Sequence, residues 1–239
     1  MSIFTLNDKS KLVEESKALL GRSDAIFNPD VHFVTKKSFN ELNLSGLNEI
    51  IFGMGCFWGA EKYFWDIPGV KYTSVGYAAG FTPNATYEEV CSGLTGHNEV
   101  VQVIYAKSEV SLEMLLKVFW ENHDPTQGMR QGYDRGTQYR SGIYFSDQED
   151  LEKIEILRDK YQSNLSRNSY GEITTEIKEI SNFYFAEDYH QQYLAKNPNG
   201  YCGHGGCGHR RGQGCCHGHS HDCGRGWGPG IDLGRGRRC

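Results

Sequence analysis

Three apolar residues, Ile50, Ile51 and Phe52, lead through Gly53 and Gly55 into Cys56, and Phe57-Trp58-Gly59-Ala60-Glu61 follows at once. An apolar run closed by glycines reads as a short buried strand ending in a tight turn, and Trp58 to Trp65 reads as a helix opening directly after the cysteine. A chain built around such a unit must place a helix against a sheet, with a thiol at the junction. Unpaired amides and the positive end of the macrodipole at a helix N-terminus favour an anion, so a thiolate is expected at Cys56. A cysteine among aromatics is more often a small core hydrophobe. Here the flanking glycines argue otherwise, because they tighten the backbone and leave room beside the sulfur, where a core position would carry branched aliphatics.

The rest of the chain supplies partners for that unit. Val100 to Tyr105 and Gly142 to Phe145 are apolar runs, Thr174 to Ile180 is a further strand candidate, and Leu112 to Glu121 and Gln148 to Leu165 carry helical patterns. Strands interleaved with helices predict an α/β sandwich, helices covering a mixed sheet. With 239 residues, 38% of them hydrophobic and 13% aromatic, the chain can bury a substantial core. Residues 1–48 read as a polar N-terminal arm wrapping the domain, with a helix near Lys11 to Leu20 as its one regular piece. No stretch approaches the roughly 20 apolar residues of a membrane helix. The start of the chain is too charged for a secretory signal, which predicts a cytoplasmic protein with no membrane or nucleic-acid partner. Without an oxidising compartment, the eight cysteines read as redox-active or metal-binding thiols, not as a disulfide framework.

The C-terminal stretch is of a different character. Residues 203–239 hold six Arg against two Asp, a charge of +4 that leaves −9 for the rest of a chain totalling −5, and 13 of those 37 residues are glycine. With no periodicity that could bury a face, the tail is expected to be disordered or ordered only by metal. Cys215, Cys216, His217, His219, His221, Cys223 and Cys239 suit zinc or copper, but the paired spacing of a standard zinc site is absent. A metal-binding or thiol-buffering role carried by this tail is the rival reading of the chain.

Five stretches then decide the matter: GCFWGAE at 55–61, GYAAGFTPNATYEEVCSGLTGHNEVVQV at 76–103, FWENHDPTQGMRQGYDRGTQYRSGIY at 119–144, FYFAEDYHQQYLAKNP at 183–198 and GYCGHGG at 200–206. In this order they make the chain resemble the methionine sulfoxide reductase A family, which reduces the S epimer of methionine sulfoxide. The resemblance implies a two-layer α+β sandwich with a mixed, ferredoxin-like sheet, a catalytic domain over 49–206 and a low-complexity tail over 207–239. It also implies a peptide-methionine (S)-S-oxide reductase that works on oxidised proteins with thioredoxin or another dithiol as reductant. No flavin, nicotinamide or metal is expected, and no glycine-rich dinucleotide fingerprint is present.

What the resemblance implies for single residues follows the chemistry of a sulfoxide. Cys56 is the attacking thiolate, becoming a sulfenic acid as methionine leaves. Glu99, at the start of an apolar strand, is the acid, because a carboxyl held against aromatics resists ionisation. Tyr87 and Tyr139 hold the sulfoxide oxygen as it gains charge. Phe57 and Trp58 enclose the S-methyl group, and Asp134 helps to position substrate or water. Cys202, among glycines that give it reach, resolves the sulfenic acid as a disulfide with Cys56. Relatives often carry a second recycling cysteine eight positions further on; here that position is Arg210, and Cys207 is the nearest substitute. His190 reads as structural, and Cys91 as buried and inert.

Overall fold

The computed structural model describes residues 8–201. The chain builds β1 (Asn48–Met54), α1 (Phe57–Lys62), β2 (Val70–Ala78), α2 (Tyr87–Cys91), β3 (Asn98–Tyr105), α3 (Leu112–Glu121), β4 (Arg130–Gln131), β5 (Asp134–Arg135), β6 (Ser141–Phe145), α4 (Glu149–Arg167), β7 (Glu176–Glu179), β8 (Phe183–Phe185) and α5 (Tyr193–Lys196). Six strands form one sheet in the order β7-β6-β1-β3-β2-β8, and β4 with β5 forms a separate two-stranded hairpin. Every pairing in the large sheet is antiparallel except β6 with β7, which is parallel, so the sheet is mixed as expected.

β1 sits at the centre, paired on both edges, which explains its near-continuous apolar run: both of its faces are covered. The strand's period of two sorts its side chains. Ile50, Phe52 and Met54 enter the larger core with α1, α3 and α4, whereas Ile51 faces the opposite side with Ala78, Val100 and Tyr144. On the large-core side the Phe52 ring stacks on Phe64 at 5.1 Å and on Phe119 at 5.2 Å. α3 supplies this packing through Leu112, Leu115, Leu116, Phe119 and Trp120, a single stripe at helical spacing, and the Ser111 hydroxyl caps it by accepting the Met114 amide. The smaller face carries a buried ion pair: Arg140 Nε donates to Glu176 at 2.8 Å, and the Tyr144 hydroxyl donates to the same oxygen at 2.8 Å.

One expectation needs correction. The arm forms no α-helix over Lys11 to Leu20; that stretch holds a single 3₁₀ turn, Glu15–Lys17. The backbone there is engaged with the domain instead, Leu19 N donating to Leu94 O at 3.0 Å and Arg22 N to Pro83 O at 3.1 Å, with the Thr82 hydroxyl donating to Leu19 O. A helix would have consumed those groups internally. β2 carries no apolar run to mark it in the sequence, since it buries Thr73, Ser74 and Gly76 along with its apolar residues, and β8 is only three residues long. Among the described residues, no helix is long and apolar enough to cross a membrane.

Candidate active site

Cys56 lies where β1 hands over to α1, as the N-cap residue of that helix. The turn depends on Gly55, whose φ of +87° is strained for any side chain and whose added Cβ would meet Gln131 at 2.5 Å. Gln131 is itself fixed, accepting the Asp124 amide and donating to the Asp124 carbonyl. Cys56 is buried, with 6% of its surface exposed.

Glu99 is the second residue of β3, the strand beside β1, and is 1% exposed. The amide of Phe57, the residue after the cysteine, donates to its Oε2 at a long 3.4 Å, while Oε1 is buried without a hydrogen-bond partner. Burial pushes this carboxyl up to about 8; the Phe57 amide opposes the shift and the nearby Asp134 adds to it. The Gln138 side chain also opposes the shift, and a carboxyl with that pKa holds its proton at neutral pH.

Two tyrosines stand by it. Tyr87 opens α2, which is held by a capping box in which Thr86 accepts the Glu89 amide and Glu89 accepts the Thr86 amide. Tyr139 ends the 3₁₀ turn Thr137–Tyr139 just before β6. Burial first, then the charge of Glu99, raises both hydroxyls far above the ordinary range, so both remain protonated donors. Asp134 lies on the β4–β5 hairpin, whose two-residue turn uses Gly132 at φ +60°. Its Oδ1 accepts from the Tyr201 hydroxyl at 3.1 Å, its Oδ2 is buried without a partner, and burial raises its pKa.

Phe57 and Trp58 form an aromatic wall. The Phe57 ring is 6.3 Å from Trp58 and 6.0 Å from Tyr77. Tyr193 of α5 stacks flat on Trp58 at 3.9 Å. The expected site residues from 56 to 139 thus converge: Phe57 and Glu99 through a hydrogen bond, and Tyr87, Tyr139 and Asp134 through their electrostatic coupling to Glu99 or Cys56. Cys202, Cys207 and the metal-ligand candidates of the tail lie outside the described residues.

Three side chains matter more here than their sequence context suggests. His190 is fully buried among Phe57, Trp58 and Tyr87, and its Nδ1 accepts the Trp58 indole N–H at 3.0 Å. Cys91 is half-buried, not sealed in the core, and its sulfur pairs with the Tyr87 hydroxyl and accepts from Gln138 Nε2 at 3.4 Å. Tyr201 tethers the chain to Asp134 one residue before Cys202. Segment 183–198 was marked as a unit in the sequence, but linear spacing does not reveal which of its side chains turn inward.

A thiol at a strand-to-helix turn, a protonated carboxyl beside it and two hydroxyl donors across from it are the parts of a cysteine-based enzyme. Comparison with known proteins gives the class its name, since the peptide methionine sulfoxide reductase family matches residues 48–210, and the chain belongs to that family. The peptide methionine sulfoxide reductase MsrA of Saccharophagus degradans is 57% identical over 209 residues, covering 87% of this chain and 97% of the relative. MsrA of Pseudomonas aeruginosa is 57% identical over 203 residues, covering 85% of this chain and 94% of the relative. The structure of methionine sulfoxide reductase A of Corynebacterium diphtheriae superposes with a TM-score of 0.76 at 45% identity, over 82% of this chain and 95% of that one.

Proposed function

We propose that this enzyme reduces the S epimer of methionine sulfoxide, in oxidised proteins and in the free amino acid, with residues 49–206 as its catalytic domain and Cys56 as its nucleophile. The substrate's S-methyl group lies against Phe57 and Trp58, where a sulfur-bound methyl over an aromatic ring gains roughly 0.3–1.5 kcal/mol. Tyr87, Tyr139 and the Glu99 carboxyl donate to the sulfoxide oxygen, and Asp134 orients the substrate or a water. The Cys56 thiolate attacks the sulfoxide sulfur while Glu99 gives its proton to the oxygen. The S–O bond of the substrate breaks, methionine leaves reduced by two electrons, and the oxygen ends on Cys56 as sulfenic acid. Cys202 then attacks the Cys56 sulfur, water departs, and a disulfide remains. Thioredoxin, a dithiol, reduces that disulfide by exchange, a cycle suited to the reducing cytoplasm. Cys207 can pass the disulfide outward, though its spacing from Cys202 departs from the family pattern.

The observation that carries this reading is the carboxyl of Glu99, 1% exposed, held near pH 8 by burial and bonded to the amide next to Cys56. An ordinary surface glutamate could donate no proton at neutral pH. The sheet order β6-β1-β3-β2, with chain order β1-α1-β2-β3-α3-β6, supports a ferredoxin-like core beneath the site. The test is the reduction of a methionine-S-sulfoxide peptide with dithiothreitol: Cys56→Ser is expected to abolish it, and activity retained by that variant would end the proposal.

A further inference from the structure

Glu187 lies between β8 and α5, immediately before the 3₁₀ turn Asp188–His190, and its two carboxylate oxygens reach three elements of the site. Oε1 accepts the backbone amide of Tyr87 at 2.9 Å. Tyr87 is the first residue of α2, so this amide has no acceptor within its own helix. Oε2 accepts the Tyr77 hydroxyl at 2.9 Å, and Tyr77 packs its ring against Phe57. The same Oε2 stands 3.8 Å from His190 Nε2.

The geometry at His190 determines where its proton resides. An indole N–H only donates, so His190 Nδ1, which receives the Trp58 N–H at 3.0 Å, carries no proton. Burial lowers the ring's pKa to about 4 and keeps it neutral near pH 7. Its single proton therefore sits on Nε2, which has no hydrogen-bond partner of its own and faces Glu187. A negative oxygen beside Nε2 favours this tautomer, and this tautomer is the one that can hold the Trp58 indole.

We propose that Glu187 is a positioning residue for the reaction: through His190 it orients Trp58 on one side of the methyl slot, and through the Tyr87 amide it sets the tyrosine on the other. This rests on the assignment of Phe57, Trp58 and Tyr87 to the substrate slot. One carboxylate thus couples the wall that recognises the methyl group to the donor that holds the oxygen. Glutamine at this position keeps the volume but offers a single acceptor oxygen, so with that oxygen on the Tyr87 amide its Nε2 can meet the Tyr77 hydroxyl only as a donor and sets an N–H against the His190 Nε2–H.

The experiment compares the full-length wild type with Glu187→Gln and Glu187→Ala at neutral pH. ¹H–¹⁵N spectra follow the Trp58 indole N–H and the His190 ring nitrogens. Kinetics with a methionine-S-sulfoxide peptide and dithiothreitol give KM and kcat, and iodoacetamide alkylation reports the reactivity of Cys56. In the wild type His190 is expected in the Nε2–H form. In both variants the indole resonance should move and KM should rise on the order of 10-fold, within the hundredfold that a misplaced group can cost, with Cys56 alkylation unchanged. An unmoved indole resonance or an unchanged KM overturns the proposal. So does a KM increase that arrives with altered alkylation and a lowered melting temperature in both variants, because that is general loosening. If the wild type fails to reduce the peptide at all, it is the assignment of the slot that falls, and the indole and histidine resonances still decide whether Glu187 governs the ring.

Discussion

The two halves of the site are held by different means. Cys56, Phe57 and Glu99 stand on β1, α1 and β3, where the β1–β3 pairing runs in unbroken register from Asn48↔Tyr105 to Phe52↔Val101. His190, Tyr193 and Tyr201 belong to the C-terminal segment, which is secured largely by side chains. Gln191 acts as a stand-in strand residue there: its Oε1 accepts the Val75 amide at 2.9 Å, and its Nε2 donates to the carbonyls of Val75 and Ala186. Gln192, at φ +47°, donates its amide and its Nε2 to the buried Glu61 at 2.8 and 2.7 Å, while its Oε1 accepts the Phe33 amide of the arm. Groups that react are carried on a backbone ladder, whereas the wall facing them is clasped by a few amide side chains that can let go. The resolving role proposed for Cys202 calls for such freedom in the segment before it, because two cysteines must bring their Cα atoms within about 7 Å to form a disulfide.

The sharpest break in this comparison lies in the ladder half. Cys56→Ser should remove sulfoxide reduction altogether, measured as methionine released from an oxidised peptide. Glu99→Gln should slow the first step by about 10²–10⁴-fold, the usual worth of a positioned acid. The wild-type single-turnover rate should also fall as pH rises through about 8, where Glu99 gives up its proton, and that limb should vanish in the glutamine variant. A pH profile shared by both proteins would remove Glu99 as donor.

The clasped half predicts smaller, mainly thermodynamic effects. Gln192→Ala strips the Nε2 donor from Glu61, leaving the backbone amide in place, and should cost about 1–3 kcal/mol in urea unfolding, the penalty for leaving a buried polar group unpaired. Burial raises Glu61 to about 7 and Glu99 to about 8 from the ordinary 4.5, so the folded state holds protons that the unfolded chain releases. The stability from these two groups is full below pH 4.5 and is lost as pH climbs through 7 and 8. Unfolding free energy should therefore decline over that window in wild type, and less steeply in Glu61→Gln. The smallest effect is expected from deleting residues 210–239, which should leave dithiothreitol-driven activity largely intact; a large loss would tie the tail to the catalytic cycle.

The ladder half was the more legible one in the sequence. Ile50 to Phe52 is apolar because β1 is covered on both faces, and α3 was visible to the residue because its stripe from Leu112 to Trp120 keeps helical spacing. The Gly-Cys junction declared itself because a turn at φ +87° demands glycine. The clasped half was hidden for the converse reason. Gln191, Gln192 and His190 act through side-chain hydrogen bonds to residues far away in the chain, among them Trp58, Glu61 and Val75, and no periodicity records such pairs. The helix expected near Lys11 to Leu20 gives way to long-range contacts, the Leu19 amide and carbonyl being taken by Leu94 and Thr82, which local propensity cannot foresee.

In the proposed cycle Cys56 takes the oxygen, and Cys202 is needed only afterwards. Its most direct test is a single turnover of the Cys202→Ser variant with a methionine-S-sulfoxide peptide and no reductant, followed by mass analysis of the protein. The account predicts one reduced peptide per enzyme, one oxygen gained at Cys56, and no cycling when thioredoxin is added. A variant that yields no reduced peptide, or that gains its oxygen elsewhere than Cys56, contradicts it.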